Sequence, residues 1–127
     1  MSYTIKNLRE TADSAPGFGF GERGEAHFAR EELGAEQTGF AYHVLHPNNR
    51  IAFGHKHDEA EEVYVVISGS GRMRLDDEVV EVSALDAVRV SPEVTRAWEA
   101  GPEGLSMIVF GARHEGDGEL LHDFWAE

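Results

Sequence analysis

The chain is written in short runs of alternating apolar and polar residues broken by Gly, Pro, Asn and Asp, and this punctuation restricts it to β-structure. A strand turns successive side chains to opposite faces, so a run such as Ala87-Val-Arg-Val90 suits a sheet with one buried face. No segment has the length and period of a long helix. Strands are expected at 3–7, 25–31, 38–45, 50–53, 62–67, 71–75, 78–82, 87–90, 95–100 and 105–110. Pro47-Asn-Asn49 and Asp76-Asp77 read as turns, the second closing a tight hairpin between Arg72-Met-Arg-Leu75 and Val79-Val-Glu-Val82. Residues 1–24 form an N-terminal arm whose Pro16-Gly-Phe-Gly-Phe-Gly-Glu-Arg-Gly24 is too glycine-rich for regular structure and reads as a surface loop. Residues 25–112 form the body, and 113–127 a polar tail ending in the apolar Leu120-Leu-His-Asp-Phe-Trp125, which packs back on the body or on a partner subunit.

With 127 residues there is room for one core and one domain. A formal charge of −13, from 24 acidic and 11 basic residues, argues against nucleic acid and against anionic membrane surfaces, both of which require clustered Lys and Arg. There is no cysteine, hence no disulfide frame and no thiolate chemistry. No apolar run reaches the length of a signal peptide or a membrane span, so a cytoplasmic protein is expected. A short β-body leaves sheet edges and apolar terminal segments that want covering, and a homodimer is the expected assembly.

The chemistry concentrates in His55-Lys-His-Asp-Glu-Ala-Glu-Glu-Val-Tyr-Val-Val-Ile-Ser-Gly69. Histidines at i and i+2 on a strand look the same way and can grip one ion through their imidazole nitrogens. Four residues then separate His57 from Glu62, enough for a tight turn that swings a carboxylate back beside the pair. Tyr64, two residues beyond Glu62, shares its face, and Gly69 permits the next reversal.

This order, His-X-His, four residues, Glu, six residues, Gly, resembles the first metal motif of the cupin superfamily. The resemblance implies an all-β double-stranded β-helix, a jelly-roll barrel, holding a divalent metal in its mouth through His55, His57, Glu62 and a third histidine from a second motif. Cupins usually open that second motif with Gly-Asp and continue through Pro-X-Gly, two residues, His, three residues, Asn. Here Leu85, Ser91, Glu93, Arg96 and Ala100 depart from the pattern, whereas Asp86, Pro92 and the alternating 87–90 run keep its shape. Arg96 therefore stands where the third histidine belongs, and the implied zinc, iron, manganese or nickel is expected to bind weakly or not at all.

Arg96 has three readings. A guanidinium donates in a fixed fork and cannot ligate a cation, so it pairs with Glu62, or faces the cavity as an anchor for a carboxylate or phosphate, or points to solvent. If Trp98 shares its face, the two put a cation and an aromatic ring on one ligand-binding wall, with plain core packing of Trp98 as the alternative. His43 and His46, three apart, face opposite sides of their strand, and each is read first as a surface or turn histidine and second as a spare ligand. His27, His114 and His122 have no partner spacing and are read as structural or solvated. The acidic run Asp58 to Glu62 lacks the glycine-centred pattern of a calcium loop and reads mostly as a solvated turn. Three functional classes follow. They are a module binding a small molecule in the barrel, with or without a metal; a metal-dependent cupin enzyme of isomerase or dioxygenase type; and a purely structural or regulatory barrel. Loss of the third histidine favours the first over the second, and the retained His55, His57 and Glu62 count against the third.

Overall fold

A computed structural model describes residues 2–112, 117–122 and 124–125, and strands dominate it. They are β1 (Gly24–His27), β2 (Thr38–Leu45), β3 (Phe53–His57), β4 (Glu62–Leu75), β5 (Glu78–Ser83), β6 (Ala87–Val90), β7 (Arg96–Ala112) and β8 (Gly118–His122). Among the described residues helix is confined to 3₁₀ turns at Leu8–Glu10 and Ala15–Phe18 and to one α-turn, α1 (Arg30–Leu33). No helix among the described residues is long and apolar enough to cross a membrane.

Two strands carry the architecture. The first half of β4 pairs with β6 and with the second half of β7, while its second half pairs with β5 and with the first half of β7. The chain thus builds one layer in the order β1-β2-β7-β4-β6 and another in the order β8-β3-β7-β4-β5, with β4 and β7 bent across both. The bend in β4 falls at two register shifts, between Val66 and Ser68 and between Gly69 and Gly71. Glycine is required there. Gly69 has a φ of +79°, and a Cβ on it would overlap the carbonyl oxygen of Gly104 across the ladder. The result is an antiparallel sheet curled into a double-stranded β-helix, the expected jelly-roll barrel.

Period-two burial points the inner faces at a shared core. On β2, Ala41, His43 and Leu45 are buried while Phe40, Tyr42 and Val44 are half-buried. Tyr64, Val66, Met73, Leu105 and Met107 fill the space between the layers. Burying such side chains is worth roughly 1.5–3 kcal/mol each before the entropy of ordering them is subtracted.

Strands at 38–45 and 87–90 have the expected bounds, and Asp76-Asp77 closes the expected hairpin, with Leu75 opposite Glu78. Several elements differ. Residues 3–7 join no strand among the described residues and lead into a 3₁₀ turn, since one run with no neighbour cannot satisfy its backbone as a strand. The strand expected at 25–31 stops at His27, because the helix-favouring Arg-Glu-Glu-Leu at 30–33 closes an α-turn. Arg50 makes only an isolated bridge to Glu99, and the next strand begins at Phe53. Pairs of expected strands on either side of Gly69 and of Gly101 are the continuous β4 and β7. The glycine-rich arm is ordered around Ala15–Phe18, and within the tail β8 pairs with β3 along its length.

Candidate functional site

β3 sets His55 and His57 on one face by strand alternation, as their spacing required. Gly54, just before His55, serves the opposite face: a Cβ on it would come within 2.7 Å of the Phe124 ring, so its absence lets the C-terminal aromatics close on the outer side of β3. Trp125 is fixed there by donating from Nε1 to the Ile51 carbonyl at 2.8 Å.

The turn after β3 is held by a residue distant in sequence. Asp117 accepts hydrogen bonds from the backbone N–H of Asp58, Glu59 and Ala60 at 2.7, 2.9 and 2.8 Å. Burial pushes its carboxyl up, but these three donors and the nearby His57 prevail and hold it below the usual carboxylate range. Its Oδ2 also lies 3.5 Å from His57 Nδ1. The contact is electrostatic and not a hydrogen bond, Nδ1 having no hydrogen-bond partner, and a carboxylate on that side favours a proton on Nδ1 and a lone pair on Nε2, the arrangement of metal-binding histidines.

The turn delivers Glu62 to the histidines. Its Oε1 lies 3.3 Å from His57 Nε2, 3.6 Å from His55 Nε2 and 3.9 Å from Arg96 Nη1, and it accepts a 2.8 Å hydrogen bond from the Tyr64 hydroxyl. Burial opposes ionisation of Glu62, but the two histidines outweigh it and hold the carboxyl well below its ordinary value. Burial pushes the His55 imidazole down, helped by Arg96 and His57 and opposed by Glu62. Burial and the Glu62 charge push the Tyr64 phenol up, so it remains a proton donor to Glu62.

The donor set fits a divalent cation. One ligand atom from each of His55, His57 and Glu62 lies within 4.8 Å of the other two. Tetrahedral ligands about 2.0–2.1 Å from a zinc ion are roughly 3.3 Å apart, close to the two His–Glu separations. His57 Nε2 is buried and has no hydrogen-bond partner, which a ligand nitrogen awaiting a cation would show. Two imidazoles and one carboxylate also suit zinc or non-haem iron and leave coordination positions open.

Arg96 is fully buried, which excludes the solvent-facing reading. It sits opposite His55 in the β3–β7 ladder. Nη2 donates to the Ser91 carbonyl at 2.9 Å, while Nε and Nη1 have no hydrogen-bond partner.

The cluster opens on a cavity of about 470 Å³. Its wall includes His55, His57, Glu62, Tyr64 and Trp98, while Arg96 lies behind them and is not part of it. Trp98 is central, its ring 5.1 Å from that of His43, 5.6 Å from Tyr64 and 6.0 Å from His55. The surface reading of His43 is therefore corrected: the inward parity it shares with Ala41 and Leu45 leaves it 8% exposed in the cavity wall. His46 is exposed. His27 is structural, its Nδ1 3.2 Å from the Thr11 hydroxyl and its Nε2 2.8 Å from Glu25. His122 is exposed, and His114 lies outside the described residues. Sequence reasoning missed Asp117 and the arm's Phe18 and Phe20, which close one side of the cavity. The alternation of glycine and phenylalanine in the arm was the available signal for the second.

No family model matches the chain, and no curated protein matches it. Solved structures do. A cupin protein from Bacteroides fragilis superposes with a TM-score of 0.72 at 19% identity, covering 91% of this chain and 88% of its own. The polyketide cyclase RemF from Streptomyces resistomycificus gives 0.76 at 16% identity, covering 98% and 87%. Pac13, a nucleoside dehydratase, gives 0.70 at 16% identity, covering 96% and 91%. At these identities the likeness establishes the fold, which is of cupin type.

Proposed function

We propose that the barrel binds a small molecule in the cavity lined by Tyr64 and Trp98, beside a weak divalent-metal site formed by His55, His57 and Glu62. The observation that carries this reading is the convergence of the three ligand atoms within 4.8 Å on the wall of a 470 Å³ cavity. A cavity of this size, mostly apolar with a few convergent polar groups, is what ligand sites usually are. Weakness follows from Arg96. A guanidinium 3.9 Å from Glu62 compensates part of the charge that would attract a cation, and its own charge opposes a second one in the same dry space.

The second reading is a metal-dependent enzyme of isomerase or dioxygenase type. It is favoured by the 3.3 Å approach of the Tyr64 hydroxyl to His55 Nε2, which puts a proton donor next to the open coordination positions. A bound zinc or iron ion would supply Lewis acidity there. Names of similar folds, a polyketide cyclase and a nucleoside dehydratase among them, keep this reading in play without selecting a reaction.

Titration calorimetry of zinc into metal-stripped protein tests the proposal. Arg96→His is expected to raise affinity, and His57→Ala to abolish binding. Equal affinities in all three proteins would show that the cluster is not a metal site.

A further inference from the structure

His43 is a buried polar side chain that makes no hydrogen bond among the described residues. It is 92% buried by area, being 8% exposed, and it lines the cavity. Its contacts are rings: Trp98 at 5.1 Å and, edge-on, Phe28 at 5.6 Å. Among the described residues no hydrogen bond reaches either of its nitrogens. Its ring faces the cavity, so a ligand there can supply the hydrogen-bond partner that the described residues do not.

The surroundings narrow the partner's chemistry. Phe18, Phe20, Phe28, Phe53 and Trp98 line the cavity with His43, and Phe18 is within 6.5 Å of Phe20, Phe28 and Phe53, centroid to centroid. Phe18 and Phe28 are themselves 45% and 48% exposed, apolar faces available to a second ring. Aromatic faces favour offset or edge-on contact with another flat π-system. Charge is disfavoured on this side. The rings around His43 give a charged group no counter-ion, and the charged side chains that border the cavity are already paired, Glu62 with Tyr64 and the histidines, Arg30 with Glu31 and Glu119 with Lys56. Burial, aided by His55 and His27 and opposed by Glu62, pushes His43 down to about 4, so at neutral pH it offers one donor and one acceptor.

From this geometry we infer that His43 anchors a flat, uncharged aromatic ligand, hydrogen-bonding its hydroxyl or ring N–H while its rings lie against the phenylalanine and tryptophan wall. The inference rests on the reading of the cavity as a small-molecule site and names the class of molecule that site takes.

The probes are 2-naphthol, naphthalene and the saturated alcohol decahydro-2-naphthol, titrated by calorimetry or equilibrium dialysis into wild type, His43→Phe and His43→Gln. Circular dichroism and thermal melts check that each variant is folded. Wild type should bind 2-naphthol more tightly than either analogue. His43→Phe should weaken 2-naphthol by roughly three- to tenfold, the worth of one neutral hydrogen bond, and leave naphthalene within about twofold. His43→Gln, which keeps a donor and an acceptor, should restore the preference and serves as the test if His43→Phe does not fold. Equal changes for 2-naphthol and naphthalene would overturn the role of His43. Binding of the saturated alcohol but not of 2-naphthol would overturn the aromatic class and leave the cavity reading standing. Binding of no probe by protein that still takes up zinc would overturn the inference and the small-molecule reading together, while sparing the metal site.

Discussion

His43 should make this protein acid-sensitive in a way that one substitution can isolate. Burial is the largest cause of its depressed pKa, about 4 against an ordinary 6.5; His55 and His27 depress it further and Glu62 opposes them. Between these two values the unfolded chain carries a proton that the native state refuses, so stability falls as the pH falls through the window. The whole shift corresponds to about 3 kcal/mol, lost progressively from the unfolded pKa down to the folded one. Most of the window lies in an awkward range, because a chain with 24 acidic and 11 basic residues approaches neutrality as it is acidified. Between pH 7.5 and pH 5.5 the loss is about 1.4 kcal/mol, enough to measure. His43→Gln removes the titration. Urea unfolding at pH 7.5, 6.5 and 5.5, with chelator present, should show wild type losing about 1.4 kcal/mol more than the variant, whichever is the more stable at pH 7.5. Parallel profiles, within about 0.4 kcal/mol at all three pH values, would mean that His43 is protonated in the native barrel and that its burial is not as described.

Three further outcomes are expected. Gly69→Ala should cost more than about 3 kcal/mol, or abolish soluble expression, because the methyl group meets the Gly104 carbonyl at a positive φ; a denaturation midpoint unchanged from wild type would contradict the bend assigned to β4. Leu85→Gly should stabilise by up to about 1 kcal/mol, since Leu85 has a φ of +73°, left-handed backbone costs a branched residue about 1–2 kcal/mol, and glycine's greater freedom when unfolded returns part of that; thermal melts read the sign. Asp117→Ala should lower both the melting temperature and zinc affinity, the latter roughly ten- to hundredfold, because it releases three backbone donors of the 58–60 turn and the carboxylate facing His57; unchanged zinc affinity in folded protein would remove Asp117 from the site.

What could be read in advance was local. Alternation fixes which face a residue takes, and so His55 could be grouped with His57 and Glu62 with Tyr64 from spacing, while the cupin resemblance joined the two pairs and Trp98 stayed open between cavity wall and core. The same rule put His43 on the face of Ala41 and Leu45 but could not say that this face was the inner one, since polarity made burial the less expected choice for a histidine. Asp117 acts at residues 58–60 across more than fifty positions, and a contact that distant leaves no periodic signal. Strand ends failed for a related reason: β4 and β7 run through their glycines because pairing on both sides holds the backbone extended, a tertiary effect that overrides local punctuation.

The second motif shows how a backbone outlasts its consensus. Leu85 stands where cupins place glycine and adopts the left-handed conformation regardless, 81% exposed, so its side chain gains little there. The turn survives because other bonds enforce it. Leu85 N–H donates to the Val66 carbonyl at 2.8 Å, Val66 N–H donates to the Asp86 carbonyl at 3.0 Å, and the Asp86 carboxylate accepts from the Ser83 N–H at 2.9 Å. With the turn fixed, β6 enters its ladder in register and carries the chain on to Arg96, opposite His55 in the β3–β7 ladder. Under the proposed reading, the position that would present a metal ligand presents a cation instead. Fold and site chemistry are therefore separable in this chain, and the exchange of one side chain at position 96, on an unchanged backbone, is what sets the affinity of the His55, His57 and Glu62 cluster for a metal under the proposed reading.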